Sequence, residues 1–281
     1  MKTIIFATDY SKNAETAIKY AYGISSKLGT NLLVIHVYSL PMMLGLEFDI
    51  FYDELEKTTL KENNSKLKNF CKKHLGKDLA GMKVKTEAFE NLSVAQGILV
   101  KAAKHKAFMI VIGMKKESAI KELFMGDTSM SLIEKAPCPV LLVPESANNN
   151  NLKSFVYATD FEQEDIGAIY KFSQIAKNFD AKIKVVHIAP NMNCDANIKM
   201  EWFKEMVEQK VTYKKIKYKV LFSEEIFGTL KAFLDSNNID MVAMLEREKS
   251  GFLKKLFQRD MVKEMESFGK IPLLSFNEAN Y

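Results

Sequence analysis

Gly113 and Gly126 bracket a loop, GMKKESAIKELFMG, that follows an apolar run and precedes a segment with helical spacing. A glycine directly after a buried strand lets a ligand approach the backbone closely. A second glycine ahead of a helix leaves backbone N–H groups facing an anion, and the helix dipole favours the negative charge. The pattern therefore points to a phosphate-type anion held between Ile112-Gly113 and Gly126-Asp127-Thr128. Other chemistries find no support. There is no G-x-x-x-x-G-K-[ST] loop and no G-x-G-x-x-G, which speaks against a P-loop NTPase and a dinucleotide-dependent dehydrogenase. Cys71, Cys138 and Cys194 form no C-x-x-C pair, and no His/Cys/carboxylate spacing suggests a metal site. No acid–base pair stands out, so a catalytic role is set aside and a weak ATPase is the least favoured reading.

Helices and strands must bring these residues together. Residues 3–7 (TIIFA), 32–37 and 108–112 are nearly continuous apolar runs, as expected of parallel strands buried on both faces. Residues 13–28 carry apolar side chains at helical spacing and end at Gly29, which suits the left-handed position after a helix. A long charged helix is predicted over 53–75, then strand 84–88, helix 94–105, helix 128–135 and strand 140–143. Alternating strand and helix implies a doubly wound parallel sheet, with its ligands beyond the carboxyl ends of the strands. Ala7-Thr8-Asp9, Val37-Tyr38 and the loop after Ile112 would then meet at one edge.

The same pattern occurs twice. TIIFATD at 3–9 returns as SFVYATD at 154–160, and NLLVIHV at 31–37 as KIKVVHI at 182–188. The spacing from Asp9 to Asp160 equals that from His36 to His187, so the match is ungapped. FMIVIG at 108–113 pairs with DMVAML at 240–245 at a shorter offset, so the second copy has lost residues between. An Asn-rich polar tract near residue 149 links the copies. The expectation is two tandem domains, 1–148 and 149–281. Each would be a five-stranded parallel sheet flanked by helices, with His36 and His187 as core histidines bonded to neighbours.

The ATD strand ends, the Gly113…Gly126 loop with its following helix, and the run APCPVLLVP at 136–144 together resemble the universal stress protein family. The resemblance extends over nearly the whole chain as two tandem family domains. In nucleotide-binding members the loop reads Gly, two residues, Gly, nine residues, Gly and then Ser or Thr. It wraps the phosphates of ATP, while the first-strand Asp and a second-strand residue hold the adenosine end. Asp9, Val37, Gly113 and Gly126 match that pattern. Lys116 stands where the second glycine would be, and Asp127 where the hydroxyl residue would be, with Thr128 one place later. A Cβ at 116 penalises positive φ, and a carboxylate at 127 repels phosphate unless Lys115, Lys116 or a bridging Mg²⁺ compensates. Asp is also a favoured helix N-cap, so Asp127 could simply fill the anion position with its own side chain. The second copy keeps Asp160 but has lost both glycines, and its loop cations include Arg247, Lys249 and Arg259.

The resemblance implies a regulatory or adaptor protein of stress responses that carries ATP or another adenine nucleotide in its first domain without substantial turnover. A nucleotide-independent interaction module with retired sites is the alternative. The family's last strand pairs across a dimer, so the two halves of this chain are expected to mate through residues 140–143 and 273–276, with whole-chain homodimers a further expectation. The apolar stretch 41–52, with Phe48 and Phe51, would be either a local cover or a surface for an unknown protein partner. A net charge of +5 is too mild for a dedicated nucleic-acid binder. The short apolar run broken by Asp9 is not a signal peptide, and no stretch reaches membrane-spanning length. A cytoplasmic protein, free of membrane and nucleic acid, is the reading.

Overall fold

The computed structural model describes residues 2–40, 48–77, 79, 81, 83–114, 126–147, 152–190, 194–247 and 270–281, the side chains of 48–52 and 194 excepted. The first copy runs β1 (Thr3–Ala7), α1 (Lys12–Leu28), β2 (Asn31–Tyr38), α2 (Phe48–Leu75), β3 (Val84–Glu90), α3 (Val94–Lys104), β4 (Met109–Gly113), α4 (Asp127–Lys135) and β5 (Val140–Val143). The second runs β6 (Ser154–Ala158), α5 (Gln163–Phe179), β7 (Lys182–Ala189), α6 (Cys194–Lys210), β8 (Ile216–Phe222), α7 (Ile226–Ser236), β9 (Met241–Glu246) and β10 (Leu273–Asn277). A 3-10 turn, Glu278–Asn280, follows.

The strands form one ten-stranded sheet in the order β3-β2-β1-β4-β5-β10-β9-β6-β7-β8. Each half is parallel and repeats the same order, and the halves meet where β5 and β10 pair antiparallel, Leu274 opposite Leu141. The expected pairing of the two final strands is therefore present within the chain. Alternation along each strand feeds two layers. Ile4 and Phe6 pack beneath α1 and α2, while Ile5 packs on the α3 and α4 side. Both faces are covered, which explains the unbroken apolar runs.

Helix ends follow the sequence signals. Gly29 caps α1 at φ 64°, and its N–H reaches the Ser26 carbonyl. The equivalent position in the second copy is Asp180, also left-handed at φ 53°, whose carboxylate takes Lys215 at 2.6 Å. α2 begins at Phe48, five residues before the expected start, so part of the apolar stretch 41–52 is helix rather than connection. Residues 41–47 and the side chains of Phe48 and Phe51 lie outside the described residues, as does residue 149 of the linker.

The copies are joined by more than the strand pair. Asn277 Nδ2 donates to the carbonyls of Ile133 (3.2 Å) and Glu134, and Asn280 Nδ2 donates to that of Ala136 at 2.9 Å. These carbonyls lie at the carboxyl end of α4, where the helix leaves acceptors unmatched. Two carboxamides of the second copy thus close a helix of the first. Asn277→Ala and Asn280→Ala should each cost about 1 kcal/mol, read as a lower denaturation midpoint at unchanged slope.

Candidate functional site

The carboxyl ends of β1, β2 and β4 lie on one edge of the first half because their strands are parallel. The order β2-β1-β4 reverses direction of growth at β1, where ligands bind in such sheets. Ala7, Thr8 and Asp9 leave β1 there, and Ile112 and Gly113 leave β4. Thr8 is buried and Asp9 exposed.

Several bonds fix the β1 turn. The Thr8 N–H donates to the Ile35 carbonyl at 3.0 Å, and the His36 Nδ1–H donates to the Thr8 carbonyl at 2.8 Å. Thr8 Oγ1 accepts from the Tyr10 N–H, and Asp9 Oδ1 from the Ser11 N–H, both at 3.0 Å. Tyr10 sits at φ 63°, a costly conformation for a side-chain-bearing residue. Its ring lies 4.5 Å from that of His36, which helps hold the turn. The second copy repeats the device: His187 Nδ1 donates to the Thr159 carbonyl at 2.8 Å, and Phe161 has φ 66° with its ring 4.1 Å from His187. His36 and His187 are thus core histidines that hold the site's backbone.

The other expected site residues divide. Val37 is buried under α3, where Gly97 permits close packing: a Cβ on Gly97 would come within 3.0 Å of Val37 Cγ1. Gly113 is needed for a different reason from the one expected. A Cβ there would lie 2.9 Å from the Asn13 carbonyl carbon, so this glycine admits the first turn of α1. Gly126 is the N-cap of α4 at φ −66°, and among the described residues a Cβ there would meet nothing within 4 Å. Asp127 is the first helical residue and is exposed. The N-cap position expected of Asp127 falls on Gly126, one residue earlier. The first N–H groups of α4, including that of Thr128, have no intrahelical partner. Lys116 and Lys115 lie outside the described residues.

In the second copy the strand-end aspartate is engaged. Arg247 ion-pairs with Asp160 at 3.8 Å and with Glu162 at 3.1 Å. Arg247, one of the loop cations, is thus engaged within the protein; Lys249 and Arg259 lie outside the described residues. Below it, buried Asp165 accepts from Tyr157 Oη and Thr159 Oγ1, both at 2.7 Å, and from the Glu162 N–H at 3.2 Å. Burial pushes the Asp165 carboxyl up, while these donors pull it down. Leu245, which replaces Gly113, lines a cavity of ≈ 30 Å³ there. Sequence reasoning missed this network, although the repeat held the signal: Phe6 and Ala14 of the first copy become Tyr157 and Asp165 of the second. Among the described residues no group of three or more His, Cys, Asp or Glu could hold a metal, and no helix is long and apolar enough to cross a membrane.

Residues 1–144 match the sequence model of the universal stress protein family. This chain belongs to that family. A Thermus aquaticus universal stress protein is 34% identical over 143 residues, covering 50% of this chain and 98% of the relative. A second relative, from Methanocaldococcus jannaschii, is 28% identical over 142 residues, covering 50% of this chain and 81% of its own length. The crystal structure of a universal stress protein from Archaeoglobus fulgidus spans 98% of both chains at 15% identity, with a TM-score of 0.71. A Pseudomonas aeruginosa structure described as a putative universal stress protein matches 99% of this chain and 93% of its own at 13% identity and TM-score 0.61. These two likenesses establish the tandem fold.

Two tests address the scaffold. Burial lowers the pKa values of His36 and His74, so below the ordinary value near 6.5 the unfolded chain binds more protons than the folded one. Stability should be fully present above that pH and fall as pH drops through it. The melting temperature should show this slope, and His36→Gln should flatten it. Tyr157→Phe removes a donor from buried Asp165 and should cost about 1–3 kcal/mol by chemical denaturation.

Proposed function

We propose that the chain is a cytoplasmic stress-response regulator that carries one adenine nucleotide, in its first copy, without substantial turnover. The observation behind this is the contrast between two homologous edges. In the first copy, among the described residues, a Cβ on Gly126 at the start of α4 would meet nothing within 4 Å. In the second, Asp160, the counterpart of Asp9, ion-pairs with Arg247, which also pairs with Glu162. Asp9 would hold the sugar end of the nucleotide, as the family pattern implies, and the N–H groups opening α4 would take phosphate oxygens. A phosphate approaching the backbone at Gly126 would meet no Cβ there. Any Mg²⁺ would serve to offset the Asp127 carboxylate.

Calorimetric titration with ATP tests the reading. One site per chain is expected, lost in Gly126→Val and weakened in Asp9→Ala, with Arg247→Ala unchanged in stoichiometry. Equal, negligible heats from wild type and Gly126→Val would overturn it, and so would two sites. Phosphate release should stay at background with Mg²⁺ present; steady turnover would refute the regulatory role.

A further inference from the structure

The single tryptophan of the chain is an outlier. Trp202 lies on α6 and is 64% exposed, with Ile198 and Met206 one helical turn to either side at 49% and 42% exposure. Residues four apart form a ridge on a helix surface, so the three make a continuous apolar stripe. The opposite side of α6 is already in use: Met200 is buried, and Phe203 and Val207 pack into the core cluster shared with α5 and the sheet.

The first copy supplies an internal control. α2 is the counterpart of α6, aligned by one repeated contact: Phe70 meets Tyr10 edge-on at 5.5 Å, and Phe203 meets Phe161 edge-on at 5.6 Å. In that alignment Ile198, Trp202 and Met206 correspond to Ser65, Asn69 and Lys73, all exposed and polar. The buried positions keep their character, Leu67 matching Met200 and Phe70 matching Phe203. The fold thus does not need apolar residues on the stripe.

Charge identifies what covers it. Taken at 100° per residue, exposed Glu201, Glu205 and Glu208 border the stripe on one flank, and exposed Lys199 and Lys210 border it on the other, with Asp195 on that side in the first turn. A surface with acids on one flank and bases on the other complements itself when a two-fold axis runs along the helix, since each acidic flank then faces a basic one. Flanking charges select partner and orientation in paired helices in this way, and a two-fold contact uses the same patch on both molecules.

We infer that α6 docks on α6 of a second copy of this chain, the two helices running in the same sense, through Ile198, Trp202 and Met206. The contact places Glu201 of each molecule near Lys199 of the other, and Glu208 near Lys210. A stripe of three side chains falls well short of the roughly 800 Å² per partner of a standard interface, so the association is weak and reversible. It is distinct from the β5–β10 pairing, which lies within one chain.

Trp202 is also the probe. Sedimentation of the full chain over a rising concentration series should show monomer giving way to dimer. Trp202 emission should shift to the blue in parallel, as the indole leaves water. Ile198→Glu and Met206→Glu, with unchanged circular dichroism and melting temperature, should each weaken dimerisation by on the order of tenfold or more and keep the emission red-shifted. Glu201→Lys should weaken it, and Glu201→Lys combined with Lys199→Glu should restore it. A monomer at every concentration with constant emission would overturn the inference. So would a dimer that forms without moving Trp202 emission or that survives both glutamate substitutions, since its contact would lie on another face.

Discussion

The antiparallel pairing of β5 with β10 is the constraint on which the rest of this molecule depends. Val140–Val143 is wholly buried, an apolar strand that would otherwise end a sheet. An open edge of that kind is a template for unwanted pairing. The second copy supplies the matching strand, and the two halves become one sheet with continuous layers on both faces. Only β3 and β8 remain as outer strands, and their exposed residues include Lys85, Lys217 and Lys219. Charged outer strands resist further addition.

Once that frame is fixed, the two halves are free to differ where the chemistry lies. The turn after the first strand is the same in both, down to the histidine that holds a threonine carbonyl and the aromatic residue at positive φ. Beyond that turn they diverge. In the first half, among the described residues, a Cβ on Gly126 would meet nothing within 4 Å. The second spends its strand-end aspartate on Arg247 and carries a buried carboxylate, Asp165, bound by a tyrosine and a threonine. Phenylalanine and alanine occupy the corresponding sites in the first half, so the polar network belongs to the second copy alone.

Much of the fold was legible in the sequence because buried parallel strands have an unmistakable composition and the repeat doubled the signal. Helix and strand order, the ATD turns and the mating of the last strands all follow from those patterns. The start of α2 was misplaced because Phe48 and its neighbours are apolar enough to read as a connection covering the sheet. Gly113 was assigned to a ligand when its neighbour is α1, since a missing Cβ looks the same in sequence whichever backbone approaches it. Asp127 was offered as a cap because its residue type favours that role, yet Gly126 takes the position one residue earlier. The Arg247 clamp was illegible for another reason: it joins residues far apart in sequence, and an arginine in a basic loop reads as solvated.

The strand pairing has a consequence for how the chain comes into being. β10 follows β5 by about 130 residues of sequence, so a growing chain carries the first half long before its seam can close. During that interval the Val-Leu-Leu-Val edge is exposed to every other nascent copy, the circumstance in which strand exchange and aggregation begin. When β10 does arrive it is tethered to its target, and closure becomes a first-order event that dilution cannot reverse. Tandem fusion thus exchanges a bimolecular search between subunits for a delay in synthesis.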